Sequence, residues 1–189
     1  MATVGLRDLY IAKITEGENG VETYGTPRRL AKAISAEMSV NVAEAILYAD
    51  DGADEVVTEF IDGELTLGVN DLLPADLAEL LGQEQDEDKV VYAHEMDNAP
   101  YFAVGFRAKK ADGKFKYVWL YKVKFSIPSE SYQTKGESIE FVTPEITGKF
   151  IKRPDGMWKA DHVALPTESA AQSWFTAVRE KRVEAQQGG

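Results

Sequence analysis

A chain of 189 residues, 44% of them hydrophobic, has the size of one domain, or of one domain with an appendage, and can bury a core without disulfides or a metal. It has no cysteine and only two histidines, His94 and His162, which excludes disulfide frameworks, thiolate metal sites, iron–sulfur clusters, cysteine nucleophiles and multi-histidine metal centres. Its 32 acids against 21 bases give a formal charge of −11, so the chain as a whole has no attraction for a phosphate backbone.

Residues Met1 to Arg7 contain no apolar run suited to secretion, and no stretch has the apolar length of a membrane span. The expectation is a soluble protein made in a cytosol. Leu9 to Ile14 is a short β-forming run, and Glu16 to Thr26 is a polar, glycine-containing loop. Leu30, Ile34, Met38 and Val40 share one parity, which predicts a strand, and Val42 to Tyr48 predicts another. Asp50 to Glu55 reads as a turn or loop tip, and Val56 to Ile61 resumes as strand. Asp62-Gly63 signals a tight turn. Leu65, Leu67 and Val69 then alternate on one face of a further strand.

The spacing predicts a helix over 74–81. Pro74 suits the first helical position, Asp71 or Asp76 sits near the positive end of the dipole, Leu77, Leu80 and Leu81 share a face, and Gly82 supplies the stop. Gln83 to Asp88 reads as an acidic loop and Lys89 to His94 as a strand. Tyr101 to Phe106, turned by Asp112-Gly113 into Phe115 to Phe125, is the clearest hairpin. On its second strand Phe115, Tyr117, Trp119, Tyr121, Val123 and Phe125 are assigned one face, and Lys116, Lys122 and Lys124 the other. Ser138 to Val142, Glu145 to Ile151 and Trp158 to Val163 read as strands, the last following a Pro154-Asp155-Gly156 turn. Glu168 to Glu184 reads as a helix capped by Thr167, with Ala171, Trp174, Phe175 and Val178 at helical spacing. Gln186 to Gly189 reads as a frayed end.

About ten strands and two helices, with no βαβ alternation and no internal repeat, predict a mainly β fold. It consists of packed antiparallel sheets, sandwich- or barrel-like, flanked by a short helix, with a β-domain over 1–166 and a C-terminal helix and flexible tail over 167–189.

The charge is uneven. Glu37 to Pro100 holds 18 acids and one base, Lys89, leaving 14 acids and 20 bases elsewhere. Such a segment is either a set of solvated loops and strand faces or a surface that repels an anion or docks on a basic neighbour.

A search for catalytic groups returns little. There is no glycine-rich phosphate loop. The run Asp50 to Glu55 has the composition of a calcium loop, but its glycine stands third rather than sixth. His94-Glu95 and Asp161-His162 pair a histidine with a carboxylate, yet neighbours on a strand point to opposite faces, and the structural use of both is the commoner one. Paired carboxylates for glycosidic chemistry have no distinguishing pair in so acidic a chain. The stripe from Phe115 to Phe125 is either a platform for stacking bases or, as is commoner, the core face of a central strand. No catalytic residue, cofactor or metal ligand is assigned.

Val4-Gly5-Leu6-Arg7-Asp8-Leu9-Tyr10-Ile11-Ala12, then Tyr48-Ala49-Asp50-Asp51, the short helix ending at Leu80-Leu81-Gly82, and the hairpin from Tyr101 to Phe106 through Asp112-Gly113-Lys114 to Tyr117-Val118-Trp119-Leu120-Tyr121-Lys122 occur in that order. With Thr134-Lys135 and Pro154-Asp155-Gly156, these segments resemble the major tail protein (tail tube protein) of long-tailed, non-contractile, siphovirus-type bacteriophages and related prophages. The resemblance covers about residues 4–165.

It implies a structural virion protein of packed β-sheets and a flanking helix, assembled in the host bacterial cytoplasm. Copies would form hexameric rings that stack into a tube around a tape-measure protein, between tail tip and tail terminator proteins. Genomic DNA would pass through without specific binding, and no membrane or catalytic residue is implied. A long loop or hairpin would reach the adjacent ring, and Tyr48 to Ile61 and Ser126 to Ser138 are the candidates. The corresponding residues are Asp50, Asp51, Asp54, Glu55 and Glu59 as lumen or ring-contact acids, and Ser129, Glu130, Tyr132 and Lys135 in an inter-ring loop. A tube protein of a related bacterial tail-like or injection particle would share these features. An acidic carbohydrate-active enzyme or binding module would instead need a pocket of converging carboxylates and aromatics.

Overall fold

The computed structural model describes residues 3–17, 21–49, 52–130 and 143–181, with the side chains of 3, 47–49 and 52–55 outside that description. The described residues form a mainly β, antiparallel fold with two helices. The strands are β1 (Thr3–Glu16), β2 (Glu22–Tyr24), β3 (Arg28–Arg29), β4 (Ala33–Ala49), β5 (Gly52–Val69), β6 (Glu84–Gln85), β7 (Val91–Tyr92), β8 (Tyr101–Lys110), β9 (Phe115–Phe125), β10 (Glu145–Phe150) and β11 (Lys159–Ala164). Helix α1 spans Pro74–Leu81, and α2 is the single turn Ser169–Gln172. The main sheet runs β2-β1-β8-β9-β10-β5-β4, with β3 also on β1, β11 also on β9, and β6-β7 as a separate pair.

Strand β9 is the hub. Its first half, Phe115 to Leu120, pairs with β11, and its last residues, Val123 to Phe125, pair with β10. Against β8 the register moves from Phe102 opposite Val123 to Val104 opposite Leu120, so β9 carries one extra residue. That bulge flips the side-chain alternation. The stripe read as one face is therefore two. Phe115, Tyr117, Trp119 and Tyr121 join Ala12, Ala103, Trp174 and Val178 in one core. Val118, Leu120, Val123 and Phe125 join Leu9, Leu65, Leu67, Phe102, Ile146 and Phe150 in the other, which Leu80 and Leu81 of α1 help to close. All six aromatic-stripe residues are buried, so none is a stacking platform for bases.

Helix α1 matches its sequence signals: Pro74 opens it, Asp76 lies in its first turn, and Gly82 ends it at φ +71° with its N–H donating to the Ala78 carbonyl. The C-terminal helix is corrected. Among the described residues only Ser169–Gln172 of it is helical, the N-cap is Glu168 rather than Thr167, and residues 173–181 continue as turns and irregular chain. Here tertiary packing overrides the helical spacing. Trp174 and Val178 are buried in the second core with β9, where the Trp119 indole N–H donates to the Trp174 carbonyl at 3.0 Å and the Tyr121 hydroxyl donates to the Arg179 carbonyl at 2.6 Å. The segment is a strap over the second core rather than a separate helix. The end from 182 onward lies outside the described residues, as does the predicted strand Ser138 to Val142.

Three more predictions are corrected in the acid-rich segment. The strands predicted from Leu30 to Val40 and from Val42 to Tyr48 are one strand, β4. Asp62-Gly63 is not a turn, because β5 runs through it from Gly52 to Val69, with one extra residue, Ile61, bulged out against β4. Gly63 serves close packing instead: a Cβ there would lie 2.0 Å from Cζ of Phe150. The acidic loop from Gln83 and the strand predicted from Lys89 to His94 reduce to the two-residue pair β6-β7.

Candidate assembly surface

Strand β10 reaches β5 only as far as the pair Phe150–Gly63. Beyond that point β4 and β5 continue together, from Asn41 opposite Asp62 to Ala49 opposite Gly52, and no third strand pairs with them among the described residues. At roughly 3.3 Å per residue, this is a two-stranded ribbon about 30 Å long. An isolated ribbon of this kind is marginal in water and leaves a long unpaired edge.

Directly opposed residues share a face, so the register sorts the ribbon's side chains. One face carries Met38 with Leu65, Val40 with Gly63, Val42 with Phe60, Glu44 with Thr58, and Ile46 with Val56. It begins over the first core, since Leu65 is fully buried, and it emerges into solvent: Val42 is 49% exposed, Ile46 43% and Val56 54%. The other face carries Glu37 with Thr66, Ser39 with Glu64, Asn41 with Asp62, Ala43 with Glu59, and Ala45 with Val57. The ribbon is thus amphipathic, with an apolar face that continues the core and is left about half exposed, and a polar face with a row of acids.

The ribbon's base is anchored by aromatic rings. Phe60 stacks on Trp158 at 4.7 Å between centroids, and Trp158 lies 5.7 Å from Phe150. On the acidic face Glu59 meets Lys152 at 3.2 Å, and Asp62 accepts from the Asn41 amide at 2.6 Å and sits 4.0 Å from Lys149. Glu37 and Glu64 have no cationic partner among the described residues.

The sequence-predicted residues divide. Glu59 lies on the acidic face. Asp54 and Glu55 belong to β5, Glu55 opposite Leu47, but their side chains lie outside the described residues. Asp50 and Asp51 lie outside them altogether, so the calcium-loop composition has no described geometry. Ser129 and Glu130 occupy an exposed stretch after β9, while Tyr132 and Lys135 lie outside the described residues. The sequence reading missed Glu37, Asp62 and Glu64, and it missed the apolar partners Val42, Ile46 and Val56. Period-two alternation along β4 alone would have placed Glu37, Val42 and Ile46, but the bulge at Ile61 reverses the parity of β5, so Val56, Asp62 and Glu64 are sorted only by the register against β4.

The acids between 37 and 100 do not form one surface. Nine of them lie in the excursion between β5 and β8, at residues 70–100, which packs beside the Phe125 end of β9. Of these, Asp76 and Glu79 pair with Arg28 at 2.9 and 2.5 Å.

No protein-family model matches the chain, and no curated protein matches its sequence. Among the described residues no group of three or more His, Asp or Glu is placed to hold a metal ion, and no helix is long and apolar enough to cross a membrane. His94 is exposed, its Nδ1 accepting from the Met96 N–H at 3.0 Å, and His162 stacks on Trp174 at 6.0 Å.

Proposed function

We propose that this chain is a structural protein that assembles with copies of itself into the tail tube of a long-tailed, non-contractile bacteriophage, a conduit of stacked rings. The observation that carries the reading is the amphipathic β4–β5 ribbon. A folded protomer that leaves Val42, Ile46 and Val56 in water on a projecting two-stranded arm has a surface suited to another subunit. Pairing the free edge of β4 with a neighbour would also remove the aggregation hazard of an exposed 17-residue strand. The ordered sequence resemblance supplies the identity of the assembly, including a tape-measure protein inside and tip and terminator proteins at the ends.

The polar face fits a conduit. With the apolar face against a neighbour, Glu37, Glu59, Asp62 and Glu64 remain on the opposite side. Carboxylates there release no counterions to passing DNA and do not retain it. Lys149 and Lys152 neutralise part of that row, leaving a face weakly rather than strongly repulsive.

The test is electron microscopy of concentrated purified protein. Rings and hollow tubes are expected, with the order of the ring read from end-on views. A protein that stays monomeric at high concentration, even beside tail initiation proteins, overturns the reading.

A further inference from the structure

The two ends of the main sheet carry opposite charge, each beside exposed apolar side chains. At one end is the β8–β9 turn. Lys109, Lys110 and Lys114 cluster there, with Arg7 two residues along β1 from Gly5, which pairs with Lys109. None of these four side chains forms an ion pair among the described residues, and the one acid in the turn, Asp112, accepts from the Lys114 backbone N–H at 3.2 Å, so the end is basic on balance. Val4 beside them is 69% exposed, and Val163 and Leu165 at the same end of β11 are about two-fifths exposed.

At the other end is the β6–β7 excursion. Glu84, Glu87, Asp88 and Glu95 are exposed and have no cation partner among the described residues. Between them stand Tyr92, Met96 at 79% exposure and Ile127 at 82%. The ten residues of β8 separate the two ends by about 30 Å.

We propose that these ends are the two halves of one contact, the basic β8–β9 end of one copy seating on the acidic β6–β7 end of the next. Exposed apolar side chains ringed by charge have the make-up of an interface centre with a polar rim. The partner is a second copy of this chain because the complementary patch is on the chain itself. Like ends repel, so copies meet in one orientation. A patch that binds a different patch at the opposite end makes a heterologous contact, which propagates as a stack instead of closing as a dimer. The contact is separate from the ribbon, since it uses residues of β1, the β8–β9 turn and the β6–β7 excursion and none of β4 or β5. It deepens the tube reading by assigning the ring-to-ring surface, and rests on that reading only for the stack being a tube.

Charge reversal with rescue tests it. One variant carries Lys109→Glu with Lys114→Glu, the other Glu87→Lys with Asp88→Lys. Far-UV circular dichroism checks that both fold. Sedimentation and electron microscopy at low salt are then compared with the parent. Each variant alone should raise the concentration needed for end-to-end assembly by about tenfold or more. An equal mixture of the two, or the chain with all four changes, should bring it back to within about twofold of the parent, because opposite ends are again complementary.

Variants that assemble like the parent, or a mixture that fails to recover, overturn the contact. Tubes indifferent to the reversals remove the contact and leave the tube reading standing. Charge-swapped assembly without a lumen keeps the contact and removes the tube. Monomers under every condition remove both.

Discussion

Gly63 shows how one residue decides what the β4–β5 ribbon can be. It pairs with Val40 on one side and Phe150 on the other, and a Cβ would meet Phe150 ring carbons at 2.0 to 2.6 Å. The ring lies over the glycine, and from there it continues the row to Trp158 and Phe60. Gly63→Ala cannot be absorbed by a flexible side-chain end, because the obstacle is a fully buried ring. The ring must move, and the stack on Trp158 moves with it. The expected cost is about 1–3 kcal/mol of unfolding free energy, typical of overpacking. Urea unfolding measures it, and Ser35, whose Oγ is 2.4 Å from a Cβ built on Gly68, supplies the comparison: Gly68→Ala meets a small hydroxyl that can rotate and should cost less. Equal losses at the two glycines would show that Phe150 is not held in place.

The ribbon and the strap have similar exposed apolar positions in the sequence and opposite fates. The strap's Trp174 and Val178 are buried on the chain's own β9, whereas the ribbon's Val42, Ile46 and Val56 stay about half exposed. Replacing ribbon residues should therefore spare the protomer. Val42→Lys with Ile46→Lys is expected to leave the unfolding midpoint within about 0.5 kcal/mol of the parent, the usual range for exposed sites. The same double change should abolish rings and tubes in electron micrographs. A variant that still assembles would place the subunit contact elsewhere. Sequence alone predicted the mainly β, antiparallel fold, helix α1 to its residue bounds, the β8–β9 hairpin and the Pro154-Asp155-Gly156 turn. Each of these rests on local signals: a period of two, a proline start, a glycine stop. It missed what depends on distant partners. The β9 bulge is set by the register against β8, the passage of β5 through Asp62-Gly63 by Phe150 on a strand over 80 positions away, and the shortening of the C-terminal helix by the hydrogen bonds that Trp119 and Tyr121 donate to carbonyls of the strap. The candidate acids were found by composition near the ribbon tip, while the row they belong to is visible only once β4 and β5 are paired.

For the molecule as a whole, the second core is closed from within, and its closure depends on neutral phenols. Tyr24 and Tyr121 lie at 5.7 and 5.2 Å from the Arg153 guanidinium, which also holds Glu180 of the strap at 2.9 Å. Burial pushes the Tyr24 phenol well above its usual range, with the Arg153 charge opposing, and burial likewise raises Tyr121. The Tyr121 hydroxyl donates to the Arg179 carbonyl, a bond that only the protonated phenol makes. A raised folded-state value means the native protein holds these protons more tightly than the unfolded chain. The associated stability is complete below the unfolded value near 10 and is lost as pH rises through the folded values. Unfolding midpoints should therefore hold steady to about pH 10 as far as these two phenols set them, and fall above it. The strap should loosen first, reported by the fluorescence of Trp174 and Trp119. Tyr121→Phe with Tyr24→Phe removes both protons, so its midpoint should fall less steeply above about pH 10 than that of the parent, whatever its stability at neutral pH. Parallel falls in the two proteins would mean that alkaline loss comes from other groups, and that the strap is held by its apolar contacts alone.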